Sequence, residues 1–132
     1  MLLLKQCPGT IVVLPLLVNG PDLVEHMFEI IFHPAAEHEI YKLDPVMQAK
    51  ALKGIEKLEA QGPYLRYPHT VAVTEKLFEL RVGAKDISRT LFAFAAGRRI
   101  YILRTWIKKT PKTPQSEIVL ALARLKELTD ES

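Results

Sequence analysis

The chain has 132 residues, 48% of them hydrophobic and 25% charged, enough for one domain with one core and too few for two. The formal net charge of +3 singles out no partner class. A single cysteine, Cys7, excludes an intramolecular disulfide and a thiolate metal cluster, and fits a reducing, cytoplasmic setting. The histidines (His26, His33, His38 and His69) form no HxxxH or HExxH pair, and no loop resembles a calcium site. No metal and no cofactor are expected.

Residues 1–26 are apolar but broken by Pro8, Gly9 and Pro15, with Lys5 as the only early charge. They fit neither a signal peptide nor a membrane span. Met27 stands directly before a clean strand pattern and is read as the natural start, with 1–26 as an upstream extension. The alternative is a genuine N-terminal strand that pairs with a sheet edge or a partner. Phe28–Phe32 reads as a strand ended by His33-Pro34, and Pro34 opens a short helix through Ala35–Lys42. Asp44-Pro45 is a second start signal, with Asp44 at the N-cap. The helix that follows carries Leu52, Ile55 and Leu58 on one stripe, with Lys50, Lys53, Glu56 and Lys57 off it. Gln61-Gly62-Pro63 ends it, and residues 62–76 read as a connector.

Three strand-like runs follow, Leu77–Val82, Arg89–Ala95 and Arg99–Ile107. In the first, Phe78, Leu80 and Val82 alternate with Leu77, Glu79 and Arg81, which predicts opposite faces. Residues 83–88 and Ala96-Gly97-Arg98 are turns. Thr113-Pro114 starts a last helix with Thr113 as its cap and a stripe of Ile118, Ala121, Leu122, Leu125 and Leu128. The predicted order over residues 27–132 is β-α-α-β-β-β-α, an α+β domain with helices on a mainly antiparallel sheet.

The charge is unevenly spread. Residues 76–112 hold ten bases and only two acids, Glu79 and Asp86, for a local net charge of +8, whereas residues 27–75 are slightly acidic. One strongly basic sheet on an otherwise neutral chain suits a polyanion, above all nucleic acid. A lysine- and arginine-rich edge that keeps the sheet from aggregating is the competing explanation. Arginine outnumbers lysine within the strands and can grip a phosphate with two parallel N–H bonds, which favours the nucleic-acid reading.

The most specific signal is the run holding LFELR (77–81), Arg89, WIKKTPKTPQSEI (106–118) and Arg124. It resembles the RelE/HigB toxin superfamily, in particular its phage-derived HigB-like subgroup. The resemblance covers most of residues 27–128 by element order and is specific over roughly the last fifty residues. It implies a RelE-like fold and the toxin of a type II toxin–antitoxin system: a cytoplasmic endoribonuclease acting on messenger RNA at the ribosome. It also implies a cognate antitoxin, usually a helix-turn-helix protein, with operator DNA bound only through that antitoxin and no membrane partner. A ParE-like inhibitor of DNA gyrase and a simple basic nucleic-acid-binding module remain the alternatives.

Metal-free RNA cleavage uses the 2′-hydroxyl to attack the adjacent phosphate, and cations aimed at the phosphoryl oxygens stabilise the transition state most. Arg81 and Arg89 are the candidates for that role. Lys108 and Lys109 are candidates for proton transfer, because crowded cations lower a lysine pKa. Arg104, Trp106, Lys85, Arg98 and Arg99 are expected to bind RNA, Trp106 by stacking on a base; a core or antitoxin-contact role for Trp106 is the alternative. Arg104 stands where many relatives carry histidine, and Leu77 and Glu79 stand where others carry lysine. Those departures leave the acid and base open. Thr110, Lys112, Thr113 and Pro114 read as structural, and Arg124 as a surface ion-pair partner.

Overall fold

The computed structural model describes residues 11–12 and 27–130. Their elements are β1 (Ile11–Val12), β2 (Glu29–Phe32), α1 (Pro34–Tyr41), α2 (Pro45–Gln61), a single 3₁₀ turn (Gly62–Tyr64), β3 (Thr70–Ala72), β4 (Phe78–Val82), β5 (Ser88–Ala95), β6 (Arg99–Ile107) and α3 (Gln115–Asp130). The strands form one sheet in the order β1-β2-β6-β5-β4-β3, antiparallel except for β2 against β6. This is the α+β architecture that the sequence predicts. Apart from Ile11–Val12, which pairs with Ile30 and Ile31 at the sheet edge, the reading of residues 1–26 lies outside the described residues.

Local chemistry sets the helix starts. Asp44 Oδ1 accepts from the Val46 and Met47 amides at 3.1 and 3.0 Å, which satisfies two donors that a helix N-terminus leaves open. His33 does the same for α1, accepting from the Ala35 amide at 3.1 Å through Nδ1, while Nε2 reaches Glu127 of α3 at 2.7 Å. The predicted cap of the last helix is corrected. Helix α3 begins at Gln115, and the Thr113 hydroxyl donates to Glu79 Oε2 at 2.5 Å. The 62–76 connector also contains β3, which pairs with β4 (Thr70 opposite Leu80).

Strand alternation builds two cores. Ile30, Phe32, Leu80, Phe92, Ile100 and Ile102 pack under Ala36, Ile40, Ile55 and Leu58 of α1 and α2. On the other face, Ile31, Leu77, Leu91, Ala93, Tyr101 and Leu103 meet Ala121 and Leu128 of α3. The alternation breaks once, in β6. Leu91 pairs with Arg104 but Phe92 pairs with Ile102, so Leu103 is a bulge residue. A bulge shifts the facing pattern by one. Tyr101 and Leu103 face α3 before it; Arg104 and Trp106 face α3 after it.

Helix α2 lies tight against the sheet at Gly54, where an added Cβ would lie 2.7 Å from Val82 Cγ2. Alanine is the better helix former by about 1 kcal/mol, but overpacking a fitted contact costs about 1–3 kcal/mol. Gly54→Ala is therefore expected to lower stability on balance, read as a reduced urea midpoint at unchanged slope.

Burial raises the Glu37 carboxyl above its ordinary pKa on α1. A folded-state pKa above the unfolded one means the group favours folding fully below the unfolded value and loses that contribution as pH rises through the folded value. Glu37→Gln is expected to raise the melting temperature at pH 7. The gain should vanish below about pH 4, where the wild-type carboxyl is protonated in both states. Among the described residues, no helix is long and apolar enough to cross a membrane.

Candidate functional site

The register places Arg81 of β4 opposite Arg89 of β5, and Arg89 opposite Trp106 of β6. All three lie on the α3 side of the sheet, with Glu79 in the neighbouring row. Glu79 is fully buried and is the hub. Its Oε1 accepts from Arg81 Nε at 2.8 Å and lies 3.4 Å from Arg89 Nε, and its Oε2 accepts from Thr113. Two arginines on one carboxylate leave a net positive cluster.

The two arginines differ in access. Arg89 is only 2% exposed, and its Nη2 donates to the Pro111 carbonyl at 2.9 Å. Its Nε and Nη1 are buried with no hydrogen-bond acceptor, so the charge on Glu79 is what compensates them. This guanidinium sits inside the fold, behind the segment 108–114. Arg81 is 36% exposed, and its two terminal nitrogens make no hydrogen bond among the described residues. The segment 108–114 is pinned at Pro111 to Arg89 and at Thr113 to Glu79, with Thr110 Oγ1 donating to the Lys112 carbonyl at 2.7 Å. This explains why KKTPKTP is so specific a string: it closes over a buried ion cluster.

Lys108 and Lys109 leave β6 at the same end of the sheet, with the Lys108 amide bonded to the Ile87 carbonyl at 2.7 Å. Lys85 is exposed in the turn between β4 and β5 at that end. Arg98 and Arg99 belong to the opposite end. From Arg99 to Trp106 the strand covers roughly 23 Å at about 3.3 Å per residue, so they share no site with Arg81. Arg98 stacks over the Phe28 ring, 4.6 Å from its centroid.

Arg104, expected as an RNA contact, is held by carboxylates of two helices. Its Nε and Nη2 fork onto both oxygens of Glu117 at 2.6 and 3.2 Å, and its Nη1 donates to Glu39 at 2.6 Å. The hydrogen bond to Glu117 raises the Arg104 pKa above its already high value, and the charge of Glu39 adds to it. Glu39 further accepts from Arg124 Nη1 at 2.9 Å and from the Thr105 amide at 3.1 Å, where β2 has ended and the β6 edge would otherwise stand open. Arg124 is thus an ion-pair partner, but half-buried rather than on the surface. Together these groups clasp α1, β6 and α3. Trp106 is half-buried against the α3 core, with Arg104 6.0 Å from its ring centroid.

Between α2 and β4 lies a groove of about 620 Å³, bordered by Lys50, Lys53, Lys57, Tyr67, His69 and Arg81. Apart from Arg81, the sequence did not place these residues in a site. The signal was present, since lysines at i, i+3 and i+7 occupy one helical stripe.

A search of curated proteins finds no relative that matches the chain. The family model described as phage derived protein Gp49-like (DUF891) matches residues 38–126, a span from α1 through most of α3 that contains the whole Glu79 cluster. The chain accordingly belongs to the phage-derived Gp49-like family, within the broad RelE/HigB-type toxin superfamily.

Proposed function

We propose that the chain is the toxin of a type II toxin–antitoxin pair, and that it cuts messenger RNA on the ribosome by 2′-hydroxyl attack. The family supplies the toxin class and with it a cognate antitoxin. The observation that carries the nuclease reading is Arg81, held through Nε by a fully buried carboxylate with its two terminal nitrogens left open. A cation fixed in advance needs no reorganisation when charge develops, and such groups give the largest catalytic contributions.

In this reaction the 2′-hydroxyl gives up its proton as its oxygen bonds to phosphorus. The 5′-oxygen leaves with a proton, so the products are a 2′,3′-cyclic phosphate and a 5′-hydroxyl. Arg81 stabilises the charge on the phosphoryl oxygens. Arg89 acts through Glu79, as a positioning residue that holds the Arg81 anchor in place. Lys108 and Lys109, at the same end of the sheet, are assigned the proton transfers, and Lys85 a phosphate contact. The antitoxin, read as a helix-turn-helix protein, covers this basic end in the cytoplasm and carries any operator contact.

Mapping messenger RNA 5′ ends after induction in growing cells tests the reading. New ends inside translated frames are expected, and they should disappear when initiation is blocked. Growth arrest without such ends but with relaxed plasmid DNA would instead identify a gyrase inhibitor.

A further inference from the structure

We infer that the groove between α2 and β4 is a second binding site, one that holds a single-stranded RNA segment running away from Arg81. The inference rests on the proposed function, in which RNA is the substrate. Lys50, Lys53 and Lys57 form one wall, all exposed and none paired with a carboxylate among the described residues. Like charges at i,i+3 and i,i+4 destabilise an isolated helix, so a lysine stripe without counter-charges is a feature that an anionic ligand would relieve. No acidic residue borders the groove.

Geometry favours RNA over an acidic protein segment. From Lys50 to Lys57 the helix rises roughly 10 Å at about 1.5 Å per residue. That matches about three stacked nucleotides at about 3.4 Å each. The floor is apolar (Leu80, Val82 and Ile87), and the opposite wall carries Tyr67, 79% exposed. An apolar floor and an open aromatic ring suit bases, whereas carboxylate side chains need only the lysines. Arg81 stands in the β4 wall of the groove with its side chain turned to the α3 face, so the segment reaches its guanidinium round the edge of the sheet; its backbone N–H donates to the His69 carbonyl at 2.8 Å, which joins that wall to the Arg81 strand. The close approach at Gly54 fixes the height of the lysine wall over β4.

The test is binding of a labelled single-stranded 10-mer RNA by fluorescence anisotropy, at several salt concentrations. Each lost phosphate contact reduces the log–log salt slope by about 0.7 and costs about fivefold at 0.1 M salt. Lys53→Gln/Lys57→Gln should thus weaken binding roughly 25-fold and flatten the slope by about 1.4. The charge-matched pair Lys42→Gln/Lys126→Gln, on exposed positions away from the groove, should stay near wild type. Tyr67→Ala should lose about tenfold and Tyr67→Phe little. Tyr64→Ala removes an equally exposed ring that does not line the groove and should have no effect. Circular dichroism confirms that each variant is folded. Equal losses from both lysine pairs, or none from either, would overturn the assignment while leaving wild-type cleavage and the function intact. Loss confined to a polyglutamate peptide, with RNA affinity unchanged, would reassign the groove to an acidic protein partner and overturn it too. Wild-type protein that neither binds nor cuts RNA would overturn both readings.

Discussion

Glu79→Gln is expected to lower folding stability by about 3–5 kcal/mol, the usual cost of removing one partner from a buried ion pair. The reason lies in what Glu79 holds. Arg89 is almost wholly buried, and two of its nitrogens have no hydrogen-bond acceptor, so the carboxylate is the counter-charge that makes its burial tolerable. Glutamine preserves the shape and a hydrogen-bonding oxygen for Arg81 or Thr113 but removes the charge. Domains are typically stable by about 5–15 kcal/mol, so a fifth or more of the total disappears with one atom exchanged. Urea unfolding at pH 7 measures this. A companion variant, Glu79→Gln/Arg89→Met, removes both buried charges and should recover much of the loss, because replacing a buried pair with apolar groups is often neutral. A single variant as stable as wild type would show that Arg89 is compensated elsewhere.

Much of this fold is legible in the sequence. Asp44-Pro45 marks a helix start by capping chemistry, and the alternation of Phe78, Leu80 and Val82 against Leu77, Glu79 and Arg81 assigns the faces of β4 correctly. Strand β3 escapes because three residues, Thr70–Ala72, are too few to show a period. The bulge at Leu103 is invisible to a period-two reading, yet it turns Arg104 and Trp106 toward α3 and lets Arg104 clasp that helix through Glu117. The candidate site is legible only in part. Arg81 and Arg89, both named from the sequence, stand opposite each other in β4 and β5, but an arginine in a strand reads as a surface cation. The burial of Arg89 depends on a carboxylate two strand positions from its partner and on a carbonyl 22 residues away. The lysine stripe of α2 escapes for a different reason. It lies in a segment whose total charge is slightly acidic, and only the fold separates those lysines from the acids around them.

Arg81→Ala is expected to slow RNA cleavage by about 10²–10³-fold, the cost of losing one oriented donor to a transition-state oxyanion. Arg89 and Thr113 still satisfy Glu79 in that variant, so the chain stays folded and the loss appears in the chemistry. Arg81→Lys should rescue little. Lysine has no Nε–H to anchor on Glu79 while leaving two further donors open, and its charge would pair with the carboxylate instead.

Single-turnover cleavage of a defined messenger RNA on purified, programmed ribosomes tests this most directly, with wild type and Arg81→Ala compared at equal, saturating protein. The expected result is wild-type cutting in the translated frame to a 2′,3′-cyclic phosphate and a 5′-hydroxyl, with the variant at least about a hundredfold slower. Folded wild-type protein that leaves the message intact, or that leaves 5′-phosphate ends, would contradict the proposed reaction. Equal rates for the two proteins would contradict the assignment of Arg81.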